Sequence, residues 1–170
     1  MGKVVLIRGC SGVGKTTICK LLSSKMPKVA FINVDKLRNM VSDREITPEQ
    51  MTLGVQNAAI LAKNFIAHGY DVLIEHMFEE SSDIDLVCDT LKSEIPVILI
   101  TLKAPLHVLI QRDKSRDEYN RLNERVEYLN NLMEASNEKR GLFIDTSLGE
   151  LDKYVNAIQV AILKNDGKIN

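Results

Sequence analysis

Short runs in which nearly all successive residues are apolar alternate along the chain with longer stretches whose apolar positions recur every three or four residues. The short runs are Val4–Ile7, Val29–Ile32, Val72–Ile74, Val97–Leu102 and Leu142–Ile144. They are rich in Val and Ile, and an unbroken apolar run fits a strand covered on both faces better than one with a solvated side. Strands of this kind separated by helices are the pattern of stacked βαβ units around a parallel sheet. The first helix is predicted over Lys15–Met26 and stops before Pro27, because a residue ahead of proline avoids the helical conformation. A short helix starts near Asp35. The longest helix has the clearest ends: Thr47-Pro48-Glu49-Gln50 supplies a cap, a proline at the first helical position and a capping-box Gln. It runs to His68, after which Gly69 provides the left-handed residue. Further helices are predicted from about Ser82 to Leu91, from Pro105 to about Lys114, roughly from Glu118 to Ala135, and over Gly149–Leu163. The polar tail Asn165–Asn170 is expected to fray. The expected architecture is α/β: a three-layer sandwich with a five-stranded parallel sheet, forming one domain over residues 1–170.

Composition narrows the class without choosing a chemistry. A chain of 170 residues with 45% hydrophobic and 26% charged residues can bury a core unaided, without disulfides or structural metals. The net charge of −1 provides no global basic field for nucleic acid or anionic membrane. Cys10, Cys19 and Cys88 are odd in number and form no CxxC pair, and no signal peptide is visible; reduced thiols and a cytoplasmic location are expected. The apolar runs, VVLI and PVILI among them, are far too short to span a bilayer, so no membrane partner is expected.

The chemistry enters with GCSGVGKTT, Gly9–Thr17, directly after the first predicted strand and opening the first predicted helix. It matches GxxxxGK[ST] in full and in the required context. The glycines let the backbone curl so that successive N–H groups converge, and the helix N-terminus adds its positive dipole end to the same concavity. Gly9, Ser11, Gly12, Val13, Gly14, Lys15, Thr16 and Thr17 are therefore expected to bind a nucleoside triphosphate, ATP. Lys15 is assigned to the outer phosphates and the Thr16 hydroxyl to Mg²⁺. Cys10 sits where the backbone matters most and receives no redox role.

Such a loop serves switches, motors and kinases alike. A GTPase switch needs DxxG after the third strand, whereas this chain reads Ile74-Glu75-His76-Met77-Phe78 there, and LKND falls in the polar tail rather than after a strand. A motor ATPase needs more chain. A phosphotransferase fits better, because the second strand runs into Asn33-Val34-Asp35-Lys36-Leu37-Arg38 at the carboxyl edge of the sheet, where ligands of such folds sit. Asp35 can orient an acceptor hydroxyl and take its proton; a helix N-cap is the other reading of an Asp here. Arg38, three residues on, can hold an anionic group of the acceptor. Glu75 ends the third strand beside the loop strand and can hold a metal-bound water or the acceptor. His76, Met77 and Phe78 are nearby acceptor-pocket candidates, with packing as the plain alternative. His68 and His107 receive no role, and Met51 and Met133 read as packing residues.

A phosphate loop followed by DxxR after the second strand resembles the small P-loop kinases acting on hydroxyl groups, and in particular the kinase module of 5′-hydroxyl polynucleotide kinases. That resemblance implies an Asp35 base, an Arg38 contact to the acceptor phosphate, and a lid after the fourth strand with an RxxxR pair. Arg112-Asp113-Lys114-Ser115-Arg116 repeats the spacing, so Arg116 first and Arg112 second are implied donor-phosphate contacts in a lid at about 112–125. Adenylylsulfate kinases, zeta toxins and chloramphenicol phosphotransferases are similar in loop and strand-end aspartate. The EHMF stretch differs from the D-x-T/S-N-like stretch usual in polynucleotide kinases, which makes a small-molecule hydroxyl the first expected acceptor. A nucleic acid 5′ end is the second, and a non-kinase ATP-binding regulator is the rival outside the enzymes. A mobile lid arginine can neutralise charge on the transferring group, while Arg121 and Arg125 read as a solvated helix face. Asp145-Thr146-Ser147 follows the last strand, where it would either meet adenine through backbone groups or cap the final helix.

Overall fold

The computed structural model describes residues 2–41, 47–92 and 94–170. Five strands form one parallel sheet: β1 (Val4–Gly9), β2 (Val29–Asn33), β3 (Asp71–Glu75), β4 (Val97–Lys103) and β5 (Leu142–Asp145). Their spatial order is β2-β3-β1-β4-β5, so β1 lies centrally between two strands that come later in the chain. Around the sheet lie α1 (Lys15–Lys25), α2 (Val34–Arg38), α3 (Pro48–Ala67), α4 (Ser81–Leu91), α5 (Leu106–Lys114), α6 (Arg125–Ala135) and α7 (Leu151–Lys164).

The apolar runs of β1, β3 and β4 are explained by two cores, whereas β5 leaves Phe143 43% exposed. Because successive strand residues point to opposite faces, Val4, Leu6, Val72, Ile74, Val97 and Leu99 pack against α3 and α4. Val5, Ile7, Leu73, Ile98 and Ile100 pack on the other side against α1, α5, α6 and α7. On α3, Ala58, Ala59 and Ala62 are fully buried, keeping the helix close to the sheet. Gly54 does the same toward α2: a Cβ there would lie 3.2 Å from Val34 Cγ1 and 3.4 Å from Arg38 Cβ. That close approach seats α2, and with it Asp35, over the end of β2.

Three expectations change. The charged stretch 118–135 is not one helix: a 3-10 turn at Glu118–Asn120 precedes α6. The buried carboxylate of Asp113 causes the break, accepting from the backbone N–H of Leu122 at 3.0 Å and of Asn123 at 3.0 Å. Those donors would otherwise continue a helix. The C-terminal tail does not fray. The N–H of Ile169 donates to the Val97 carbonyl at 3.0 Å, that of Leu99 to the Gly167 carbonyl at 3.0 Å, and that of Val97 to Asn170 Oδ1 at 2.8 Å. β5 pairs with β4 only from Ile100 onward, so the tail fills the part of that edge left open. Third, Phe78 is completely buried in the α3/α4 core and cannot line a pocket. Its backbone is left-handed, at φ 49°, rare for a bulky residue, and the buried Arg8 holds its carbonyl at 2.7 Å.

Candidate active site

The carboxyl ends of β1, β2 and β3 open into a cleft of about 710 Å³, within the roughly 300–1,000 Å³ of small-molecule sites. Its floor is the loop from Ser11 to Thr17. The strand-to-helix turn there depends on glycine: Gly9 has φ 149°, and a Cβ on it would lie 2.6 Å from the Leu102 carbonyl oxygen. Lys15 Nζ folds back to donate to the carbonyls of Gly9 at 2.8 Å and Cys10 at 3.1 Å. Burial lowers its pKa, opposed chiefly by the Glu75 charge. Burial likewise raises the thiols of Cys10 and Cys19, so neither is a ready thiolate.

Thr16 and Glu75 meet directly, the Thr16 hydroxyl donating to Glu75 Oε1 at 2.6 Å. The second carboxylate oxygen of Glu75 accepts from Asn33 Nδ2 at 3.0 Å. Asn33 is the cap of α2, its Oδ1 accepting from Lys36 N at 3.0 Å. Asp35 is therefore not a cap: its carboxylate is 57% exposed and lines the cleft. Arg38 lies behind it at 3.4 Å and also donates to Met51 Sδ at 3.2 Å; it is absent from the cleft wall.

His76 packs edge-on against Phe78, with Nδ1 3.6 Å from Asp35 Oδ1. Burial, reinforced by Lys15 and Arg38 and opposed by Asp35, pulls its pKa down to about 4, so the contact with Asp35 is not an ion pair at neutral pH. A buried histidine that stays neutral has a consequence for stability. The unfolded chain takes up a proton near pH 6.5 that the folded chain refuses until about 4. Stability is therefore complete above 6.5 and falls as pH drops from there to about 4, by roughly 3 kcal/mol in all. Chemical denaturation of the wild type and His76→Gln at several pH values should show a shallower slope in the variant over that window; equal slopes would remove His76 as the cause.

At the other end of the cleft, Arg112 donates to the carbonyls of Gly12 at 3.3 Å and Thr146 at 2.5 Å, which fixes it against the loop. Arg116 is held more loosely, donating to Ser11 Oγ at 3.3 Å and the Asn120 carbonyl at 3.4 Å, with Asp113 at 3.4 Å. Arg121 donates from Nε to the Arg116 carbonyl at 3.0 Å rather than reaching the cleft. Thr146 is buried and donates to the Val13 carbonyl at 2.9 Å, so its hydroxyl serves the phosphate loop and does not cap α7. Gly149, Leu151 and Tyr154 complete the wall beyond it. Sequence reasoning missed these three and Asn33; only Asn33, two residues before Asp35 at a strand end, carried a usable signal.

Oxygen ligands suit Mg²⁺, which keeps several waters and takes few protein groups. The Thr16 hydroxyl and the Glu75 carboxylate, in contact with each other on the cleft wall, fit that demand. Among the described residues no group of three His, Cys, Asp or Glu side chains could hold an ion alone.

A parallel five-stranded sheet with a phosphate loop after its central strand and an arginine-bearing segment over the cleft defines an α/β fold of the P-loop type. Residues 5–138 match the family model described as an AAA domain, and the chain belongs to that family. The fold is shared with an unliganded sugar kinase from Janibacter sp. HTCC2649, at 18% identity and a TM-score of 0.76, covering 95% of each chain. It is shared equally with the Mycobacterium tuberculosis APS kinase in complex with AMPPNP and APS, at 16% identity and a TM-score of 0.74, covering 95% of this chain and 98% of that one. A chain of a Pnkp1/Rnl/Hen1 complex matches less completely, at 15% identity and a TM-score of 0.58, over 69% of this chain and 40% of that one. No curated protein matches in sequence. No described helix is long and apolar enough to cross a membrane.

Proposed function

We propose that this chain is a cytoplasmic, ATP- and Mg²⁺-dependent phosphotransferase that moves the γ-phosphate to a hydroxyl group of a small molecule. The observation that carries the reading is that one cleft is lined at once by the phosphate loop, Glu75, the exposed Asp35 and both lid arginines. Positive groups lie at the donor end and the exposed Asp35 carboxylate at the other, which is the polarity a phosphoryl transfer requires.

In this reading the loop amides from Gly9 to Thr17 and the Lys15 ammonium hold the donor phosphates. Thr16, with Glu75 at its side, holds Mg²⁺, which when bound neutralises charge on those phosphates. Asp35 accepts the proton as the acceptor oxygen forms its bond to phosphorus and ADP departs with the broken bond's electrons. Arg38 keeps Asp35 in place and offers charge to an anionic acceptor. Arg112 braces the loop, and Arg116, in the lid at about 112–125, closes on the donor. The whole of 1–170 works as one kinase domain.

The small-molecule acceptor is preferred because the sugar-kinase and APS-kinase chains match this chain nearly end to end while the Pnkp1 complex chain matches in part. ADP release followed across sugars, amino alcohols, nucleosides and a 5′-hydroxyl oligonucleotide tests it. Stimulation by a small hydroxylated compound supports the reading. Stimulation by the oligonucleotide alone, weakening steeply with salt, would transfer the assignment to a polynucleotide acceptor. A slow rate that no acceptor changes would leave a nucleotide-binding regulator.

A further inference from the structure

Asn33 and Glu75 are register partners, the last residues of the adjacent parallel strands β2 and β3. Their side chains therefore emerge side by side at the cleft, and both line it. The orientation of the Asn33 amide follows from its neighbours. Lys36 N is a donor 3.0 Å from one end, and the Glu75 carboxylate is an acceptor 3.0 Å from the other. Turning the amide over would set N–H against N–H and oxygen against carboxylate, so only one assignment satisfies both.

Each Glu75 oxygen is thus engaged from a different element, Oε1 by Thr16 of the phosphate loop and Oε2 by Asn33 of β2. A carboxylate held at only one oxygen can still swing about that bond; held at both, its plane is fixed. The same amide caps α2, the helix that bears Asp35. We propose that Asn33 is a positioning residue: it fixes the Glu75 carboxylate for a divalent cation and ties that carboxylate to the start of the Asp35 helix. One side chain then sets the spacing between the metal end and the proton-accepting end of the cleft. This rests on the reading of Thr16 and Glu75 as the Mg²⁺ site.

Serine and alanine at position 33 separate the two jobs of the residue. Serine caps a helix about as well as asparagine, yet from β2 it is too short to reach Glu75. Asn33→Ser is therefore expected to melt within about 2 °C of wild type, and Asn33→Ala to lose about 2–4 °C. The decisive readout is binding, not turnover: a fluorescent ATP analogue is titrated with Mg²⁺ and the apparent Mg²⁺ affinity of the complex is read. Both variants should lose about 10–100-fold, as when an outer partner of a metal ligand is removed. If Asn33→Ser matches wild type in the Mg²⁺ titration while Asn33→Ala loses only melting temperature, Asn33 is a cap and the inference is overturned. If nucleotide affinity of the wild type does not respond to Mg²⁺, the metal reading beneath it falls as well.

Discussion

Asp35→Asn is expected to lower acceptor-dependent phosphoryl transfer by about 10²–10⁴-fold, the usual contribution of a positioned general base. The substitution keeps the size of the side chain, and because Asn33 rather than Asp35 caps α2, the helix should survive it. Asp35 meets Arg38 at 3.4 Å and His76 at 3.6 Å, both outside the phosphate loop. Nucleotide affinity should accordingly stay within a few-fold of wild type. A loss confined to turnover, with nucleotide binding intact, is the signature of a group that acts on the acceptor. Equal loss of both would make Asp35 a structural residue, and full activity would remove it as base.

Arg116→Ala should reduce turnover by about 10³-fold, the lower end of what arginines contribute when they neutralise a transferring phosphoryl group. The contrast with Arg112 motivates this. Arg112 is pinned to loop carbonyls and to Thr146, at distances down to 2.5 Å. Arg116 has only longer contacts, 3.3–3.4 Å, to Ser11, Asn120 and Asp113, and a side chain 32% exposed. It is the one of the pair free to follow a ligand. Arg116→Lys should recover little, since lysine lacks the planar fork that bonds two phosphate oxygens together. Single-turnover kinetics with separately measured nucleotide affinity checks this: unchanged turnover in Arg116→Ala would assign the lid another role.

The strands were legible because their cause is local. A strand buried on both faces must be apolar at nearly every residue, and Val4–Ile7 and Val97–Ile100 state that in one dimension. The caps of α3 were legible for the same reason, Thr47 Oγ1 accepting from Gln50 N at 3.3 Å as its spacing implies. What failed depended on burial and partners that the local sequence does not state. The break in the lid comes from Asp113, whose buried carboxylate captures backbone donors at 122 and 123. An Asp in a charged stretch reads as solvated until the fold buries it. The tail looked free because its partners, Ile95, Val97 and Leu99, lie some seventy residues away on an edge that β5 leaves uncovered. In the site, the phosphate loop is a contiguous motif and could be read outright. The link from Thr16 through Glu75 to Asn33 joins α1, β3 and β2 and exists only once the sheet order places β3 beside both β1 and β2.

In the proposed reaction the bound nucleotide is a phosphoryl donor to an alcohol rather than a ligand or a hydrolysed fuel. Phosphorus NMR of ATP, Mg²⁺, the protein and an acceptor that stimulates ADP release tests this most directly. A new phosphomonoester resonance should grow one for one with ADP, and be absent with Asp35→Asn. ADP accompanied only by inorganic phosphate would contradict it.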